Sequence, residues 1–203
     1  FKNLGFIAPD TFEVRTSING VNSVMLFQER EAKELLEKNL RREGPIFEGD
    51  ESILWTYDNY NIKDLVGLSL LRLVNDNWFK KGRSSQAITI NSFSNLQKIY
   101  FKNRYAYIRD GGGGWRLKIF PNSLKNKYFL DFHTLLLAMN AKHAFYLHNR
   151  KYYFNAIEST LEPIYYDGNA NFLSAVVLNE TDIELLSSIP SAKLSQSVID
   201  LNR

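Results

Sequence analysis

The chain has 203 residues, 25 lysines and arginines against 22 acids, and is 44% hydrophobic with 14 Phe, 11 Tyr and 3 Trp. A net charge of +3 is close to balance and does not point to nucleic acid, and no run approaches the roughly 20 apolar residues of a membrane span. The absence of cysteine excludes disulfides and thiolate metal sites.

This length suits one full domain or a large part of one, and the aromatic content reads as a dense core or a stacking face. The chain opens on Phe1 with no signal-peptide pattern, so its natural N-terminus is expected to lie elsewhere. From Thr11 to Ser17, Phe12 and Val14 alternate with Glu13 and Arg15, the pattern of a half-buried strand. Asn19-Gly20 tolerates positive φ and predicts a tight turn, with Val24 to Phe27 as the returning strand. Ala32, Leu35, Leu36 and Leu40 recur at helical spacing, Glu29–Lys33, Glu34–Lys38 and Glu37–Arg41 offer i,i+4 pairs, and Gly44-Pro45 supplies a stop.

Ile46 to Glu51 predicts a short strand running into an acidic turn. Asn61 can cap a second helix with Ile62, Leu65, Val66, Leu70, Leu73 and Val74 on its apolar face. Ser84 to Arg104 is ambiguous, with helix favoured in its second half. Asp110 to Gly114 reads as a flexible break, Trp115 to Phe120 as a strand, and Leu124 to Asn140 as a helix burying Phe129, Phe132, Leu136 and Leu137. Two aromatic strands, Lys151 to Phe154 and Ile164 to Tyr166, follow across a polar turn, and from Glu180 the chain is polar and weakly helical.

The densest group of potentially reactive side chains runs from His143 to Lys151, and the hairpin after it ends on Asp167-Gly168-Asn169. The order is a loop with a neutral oxygen ligand, Asn149, then two strands, then a carboxylate beside a glycine. Hard cations such as Mg²⁺ take oxygen ligands together with waters and phosphates, and protein kinases build their metal site in this order. An Asp-Gly turn with no chemistry has the same pattern, and the residues alone leave both readings open.

Elsewhere the chemistry-bearing patterns are weaker. Gly111 to Gly114 lacks the Gly-Lys-Ser/Thr of a phosphate loop, and Glu48, Asp50 and Glu51 lack EF-hand spacing and read as a solvated acidic turn. His133 reads as a core histidine; His143 and His148 are five apart and make a poor zinc pair. Lys80, Lys81 and Arg83 with Trp78 and Phe79 form a small basic-aromatic patch, read as a solvated loop. Exposed Tyr152, Tyr153, Tyr165 and Tyr166 would instead suit a glycan-binding module.

The run His148-Asn149-Arg150-Lys151-Tyr152-Tyr153-Phe154, with Glu162-Pro163-Ile164-Tyr165-Tyr166-Asp167-Gly168-Asn169, resembles the C-terminal lobe of the CotH (spore coat protein H) kinase-like family, as found in large bacterial surface and secreted proteins. Ile18-Asn19-Gly20 with Leu26-Phe27-Gln28-Glu29, and Arg41 to Glu51, are similar to further elements of that family, so the resemblance runs from about Gly5 to Asn169. It implies an incomplete kinase-like α+β fold over residues 1–175, part of the N-lobe hairpin plus a helical C-lobe with a catalytic-loop hairpin, and a C-terminal extension over residues 176–203.

It also implies an atypical kinase using ATP and Mg²⁺ (or Mn²⁺) on serines or threonines of coat or surface proteins, at a bacterial cell surface, secreted or on a coat, with neither nucleic acid nor a membrane span. By position, Asn149 and Asp167 would hold the metal and Glu29 would lie near the adenine edge. The pattern's strand lysine has no convincing counterpart, Lys2 being too near the start, and its loop aspartate falls on Ala144. His143 and then His148 are the general-base candidates, histidine being suited to taking a proton near neutrality. The missing aspartate equally fits a pseudokinase that organises a surface or coat assembly.

Overall fold

The computed structural model describes residues 1–49, 71–109, 127–145 and 149–171. The chain is α+β. Strands β1 (Thr11–Ile18) and β2 (Val21–Gln28) form a separate hairpin, followed by α1 (Lys33–Lys38) and β3 (Ile46–Gly49). After them come β4 (Leu71–Leu73), the short α2 (Asp76–Phe79), the long α3 (Arg83–Arg109), α4 (Lys127–Ala138), a 3-10 turn at Lys142–Phe145, β5 (Lys151–Asn155) and β6 (Thr160–Ile164).

The second sheet has the order β4-β3-β5-β6, antiparallel throughout. Ile46, Phe47 and Glu48 lie opposite Tyr153, Tyr152 and Lys151, so successive residues of β5 face opposite sides. On one side Phe47 and Tyr152 pack with Leu96 of α3 and Phe129 of α4. On the other, Ile46, Tyr153 and Ile164 pack with Ile7 and with Leu35 and Leu36 of α1. A further cluster joins Phe6 to Phe132, Leu136, Leu137, Ala144 and Phe145. The N-terminal segment closes the sheet edge, Tyr165 N–H donating to Ile7 C=O at 2.9 Å.

The hairpin forms where expected, with Asn19 at φ 52° and Gly20 at φ 81°. Its alternation collects Phe12, Val14, Ile18, Val21, Met25 and Phe27 on one side. The expectation that this side is half-buried is not met: Phe12 and Phe27 are each 54% exposed. Alternation reveals which residues share a side, but not whether anything lies against it.

Helix α1 is shorter than its leucine spacing suggests. Asn39 caps it with its amide, Nδ2 donating to Leu35 C=O at 2.7 Å, and Leu40 turns left-handed at φ 58°. Leu40 therefore stands 89% exposed, and the chain leaves the helix before Gly44-Pro45. None of the three expected i,i+4 pairs forms. Lys38 reaches Glu29 at 2.7 Å and Asp10 at 3.2 Å, and Arg41 reaches Glu162 at 2.6 Å, because better-placed partners come from other elements.

The second helix expected from Asn61 ends instead in strand: Leu71–Leu73 pairs with β3, and residues 61–70 lie outside the described residues. A three-residue Leu-Arg-Leu segment is too short to show a distinguishing period, and pairing with β3 decides it. In contrast, helix extends through the ambiguous Ser84 to Arg104 region. Its serines and threonines are poor helix formers, yet they satisfy themselves by bonding backward: Thr89 Oγ1 to Ser85 C=O and Ser92 Oγ to Ile88 C=O, both at 2.7 Å. Helix α4 buries Phe129, Phe132, Leu136 and Leu137 as expected. The expected break at 110–114, the strand at 115–120 and the polar tail lie outside the described residues.

Candidate functional site

The end of α4, the 3-10 turn and the start of β5 bring Asn149 and the loop after β6 together. Asn149 is buried, and its Nδ2 donates to His143 C=O at 3.1 Å while lying 3.0 Å from His143 Nδ1. The same Nδ1 is 2.9 Å from Asp167 C=O and 3.2 Å from Asp167 Oδ2. Two residues 18 apart in sequence thus meet on one imidazole nitrogen. With the proton on Nδ1, His143 donates to Asp167, and the Asn149 amide is held by the His143 carbonyl.

Asp167 occupies a left-handed backbone position at φ 41°, which an aspartate tolerates. Gly168 then passes beneath Tyr165, where an added Cβ would sit 2.7 Å from the phenolic oxygen and 2.8 Å from the ring. Tyr165 is itself pinned, stacked on Phe1 with ring centroids 4.1 Å apart. Gly168→Ala is therefore expected to lower stability by about 1–3 kcal/mol and to displace Asp167, read by urea unfolding. An unchanged midpoint would show that the loop yields freely.

The donor set of one carboxylate and one amide suits a hard divalent ion completed by waters and phosphates. Among the described residues no group of three or more His, Cys, Asp or Glu converges on a metal position. Asn149 turns its nitrogen toward His143, so shared ligation with Asp167 requires the amide to turn over. Glu29, expected near a nucleotide, is engaged at the hairpin base, accepting from Asp10 N–H at 3.1 Å and pairing with Lys38. His148 lies outside the described residues. Ala144, where the kinase pattern has an acid, is buried in the 3-10 turn.

The structure corrects two further expectations. Glu48 is not in a solvated turn: it sits on β3 with Lys151 Nζ at 2.8 Å and Arg72 Nη2 at 2.6 Å. Tyr152 and Tyr153 are buried core rings and Tyr165 and Tyr166 only half-exposed, which removes the exposed tyrosine platform of the glycan reading. In the basic-aromatic patch, Lys80 pairs with Asp76 and Lys81 with Glu43.

Sequence reasoning missed the most tightly held charge in this region. Lys151 Nζ lies between Glu31 at 2.9 Å and Glu48 at 2.8 Å and 3.7 Å above the Tyr166 ring, next to Asp167. Strand alternation places Lys151 on the side of Tyr153, but nothing in the sequence gives the β3–β5 register that sets Glu48 opposite it.

His133 is a core histidine, as expected. Burial, and then the Arg150 charge, push its pKa down to about 3. The unfolded chain takes up a proton below about pH 6.5 while the folded chain resists it, so this group erodes stability as pH falls from there toward 3. His133→Leu is expected to flatten the fall in urea midpoint between pH 7 and pH 4, and an unaltered slope would place the acid sensitivity elsewhere.

Comparison with protein-family models gives no match, and comparison with curated proteins gives none either. Among the described residues, no helix is long and apolar enough to cross a membrane.

Proposed function

We propose that this chain is part of a phosphoryl-transfer domain of the CotH kinase-like kind, moving the ATP γ-phosphoryl group to Ser or Thr of a coat or surface protein. The supporting observation is the meeting of Asn149 and Asp167 on His143 Nδ1. The bound metal would neutralise phosphate charge as transfer proceeds. Asp167 and, with its amide turned over, Asn149 would hold that ion, and His143 would take the hydroxyl proton of the acceptor. Loss of the loop acid at Ala144 is tolerable in this reading because phosphoryl transfer depends more on positioning and charge than on the base.

A second reading, a pseudokinase that organises a surface or coat assembly, draws on the inward-facing Asn149 nitrogen and on Ala144. The two separate in one experiment on the full-length protein: transfer of labelled phosphate from ATP with Mg²⁺ to a serine-bearing coat or surface protein. Nucleotide binding and transfer support the enzyme. Partner binding with neither supports the assembly module and rejects the enzyme.

A further inference from the structure

Arg150 directly follows Asn149, but its side chain enters the interior on the Tyr152 side of the sheet and is only 6% exposed. Nε donates to Phe145 C=O at 3.0 Å, and the guanidinium lies 6.0 Å from the Phe145 ring centroid. Among the described residues Nη1 and Nη2 are buried and meet no acceptor in hydrogen-bond geometry, and the neutral Tyr152 hydroxyl is the side-chain oxygen that interacts with the guanidinium. Buried arginines ordinarily pair with a carboxylate, since an uncompensated charge is costly to hold away from water; among the described residues no ion pair involves Arg150.

The guanidinium borders a partly open cavity of about 20 Å³ lined also by Phe129, His133, Phe145 and Tyr152. None of these supplies a negative charge. His133 is held neutral, and burial raises the Tyr152 hydroxyl above its ordinary value. Lys151 adjoins the cavity, but its ammonium is committed to Glu31 and Glu48. The space accommodates a water-sized sphere, which needs about 10–15 Å³, and is too small for a sugar or nucleotide. Water would satisfy the two Nη groups and leave the charge unbalanced, whereas a small anion does both.

We propose that this cavity binds a chloride-sized monovalent inorganic anion, held by Nη1 and Nη2 of Arg150. The anion couples the segment entering β5, which follows Asn149, to α4 and to the 3-10 turn that carries His143. Thermal unfolding of the protein at fixed ionic strength is the first test, with sodium chloride or bromide compared against sodium gluconate, whose anion exceeds the cavity. The midpoint is expected to rise by about 3 °C in halide, and Arg150→Met is expected to lose that response. Crystals of the unaltered protein grown in bromide provide a test that does not depend on the variant folding, through an anomalous peak within contact of both Nη atoms. Equal midpoints in halide and gluconate, a response that survives in Arg150→Met, or no anomalous peak at Arg150 would each overturn the site.

Discussion

Asp167→Asn is expected to reduce metal-dependent phosphoryl transfer by roughly a hundredfold to a thousandfold while leaving the unfolding midpoint unchanged. The substitution is chosen for the backbone. Asp167 sits at φ 41°, a left-handed conformation that asparagine adopts as readily as aspartate and alanine adopts poorly. The change removes the charge and little else. The contact from His143 Nδ1 to the Asp167 main-chain oxygen at 2.9 Å does not use the side chain, so the loop keeps its anchor. A carboxylate holding a divalent ion acts through its charge, and an amide is a far weaker ligand for Mg²⁺. The check is initial rate against Mg²⁺ concentration for both forms of the full-length protein, with thermal unfolding in parallel. A variant that transfers phosphate at the parent rate would take Asp167 out of the chemistry.

Lys151→Met is expected to destabilise the fold by about 3 kcal/mol. The ammonium is the shared partner of Glu31 and Glu48, whose side chains are each 12% exposed. Methionine fills the space but leaves both carboxylates nearly out of water. Glu48 retains Arg72, which limits the loss, whereas Glu31 loses its ion-pair partner. Restoring neutrality with Glu31→Gln and Glu48→Gln in the same chain should recover much of the stability, since the penalty arises from unpaired charge rather than lost packing.

The same cluster sets an alkaline limit. Burial pulls the Lys151 pKa down, but the bonds to Glu48 and Glu31 and their charges outweigh it, leaving the folded value above the ordinary one. A raised lysine contributes its full stabilisation below the unfolded value of about 10.4 and loses it as pH rises through the folded value. The parent chain should therefore weaken above about pH 10.4 more steeply than Lys151→Met, and parallel curves would show that the triad is not coupled to folding. Because Lys151 also covers the Tyr166 ring, the variant is expected to loosen the loop holding Asp167.

Much of the local structure was legible because local chemistry set it. Asn19-Gly20 required positive φ and produced the hairpin; the 3.6-residue spacing of Phe129, Phe132, Leu136 and Leu137 produced α4 and its buried side. Leu71–Leu73 and the end of α1 were not legible, since so short a segment becomes strand only when a partner such as β3 is present, and Leu40 turned outward once Asn39 capped the helix. The candidate site was partly legible. Asn149, His143 and Asp167 stood out by type and order, but the single nitrogen joining them is a matter of three-dimensional approach.

The sequence by itself determined an α+β chain without thiol chemistry, the alternating sides of its strands, and the residue types available near Asp167, because these depend on composition and on periods of two and 3.6 residues. Only the tertiary structure decided that Lys151 meets Glu31 and Glu48, that Arg150 borders a cavity where the described residues place no carboxylate, and that Tyr152 and Tyr153 are core. Electrostatic partnership depends on distances of a few ångströms between residues as much as 120 positions apart, and strand register fixes those distances without leaving a local trace in the chain.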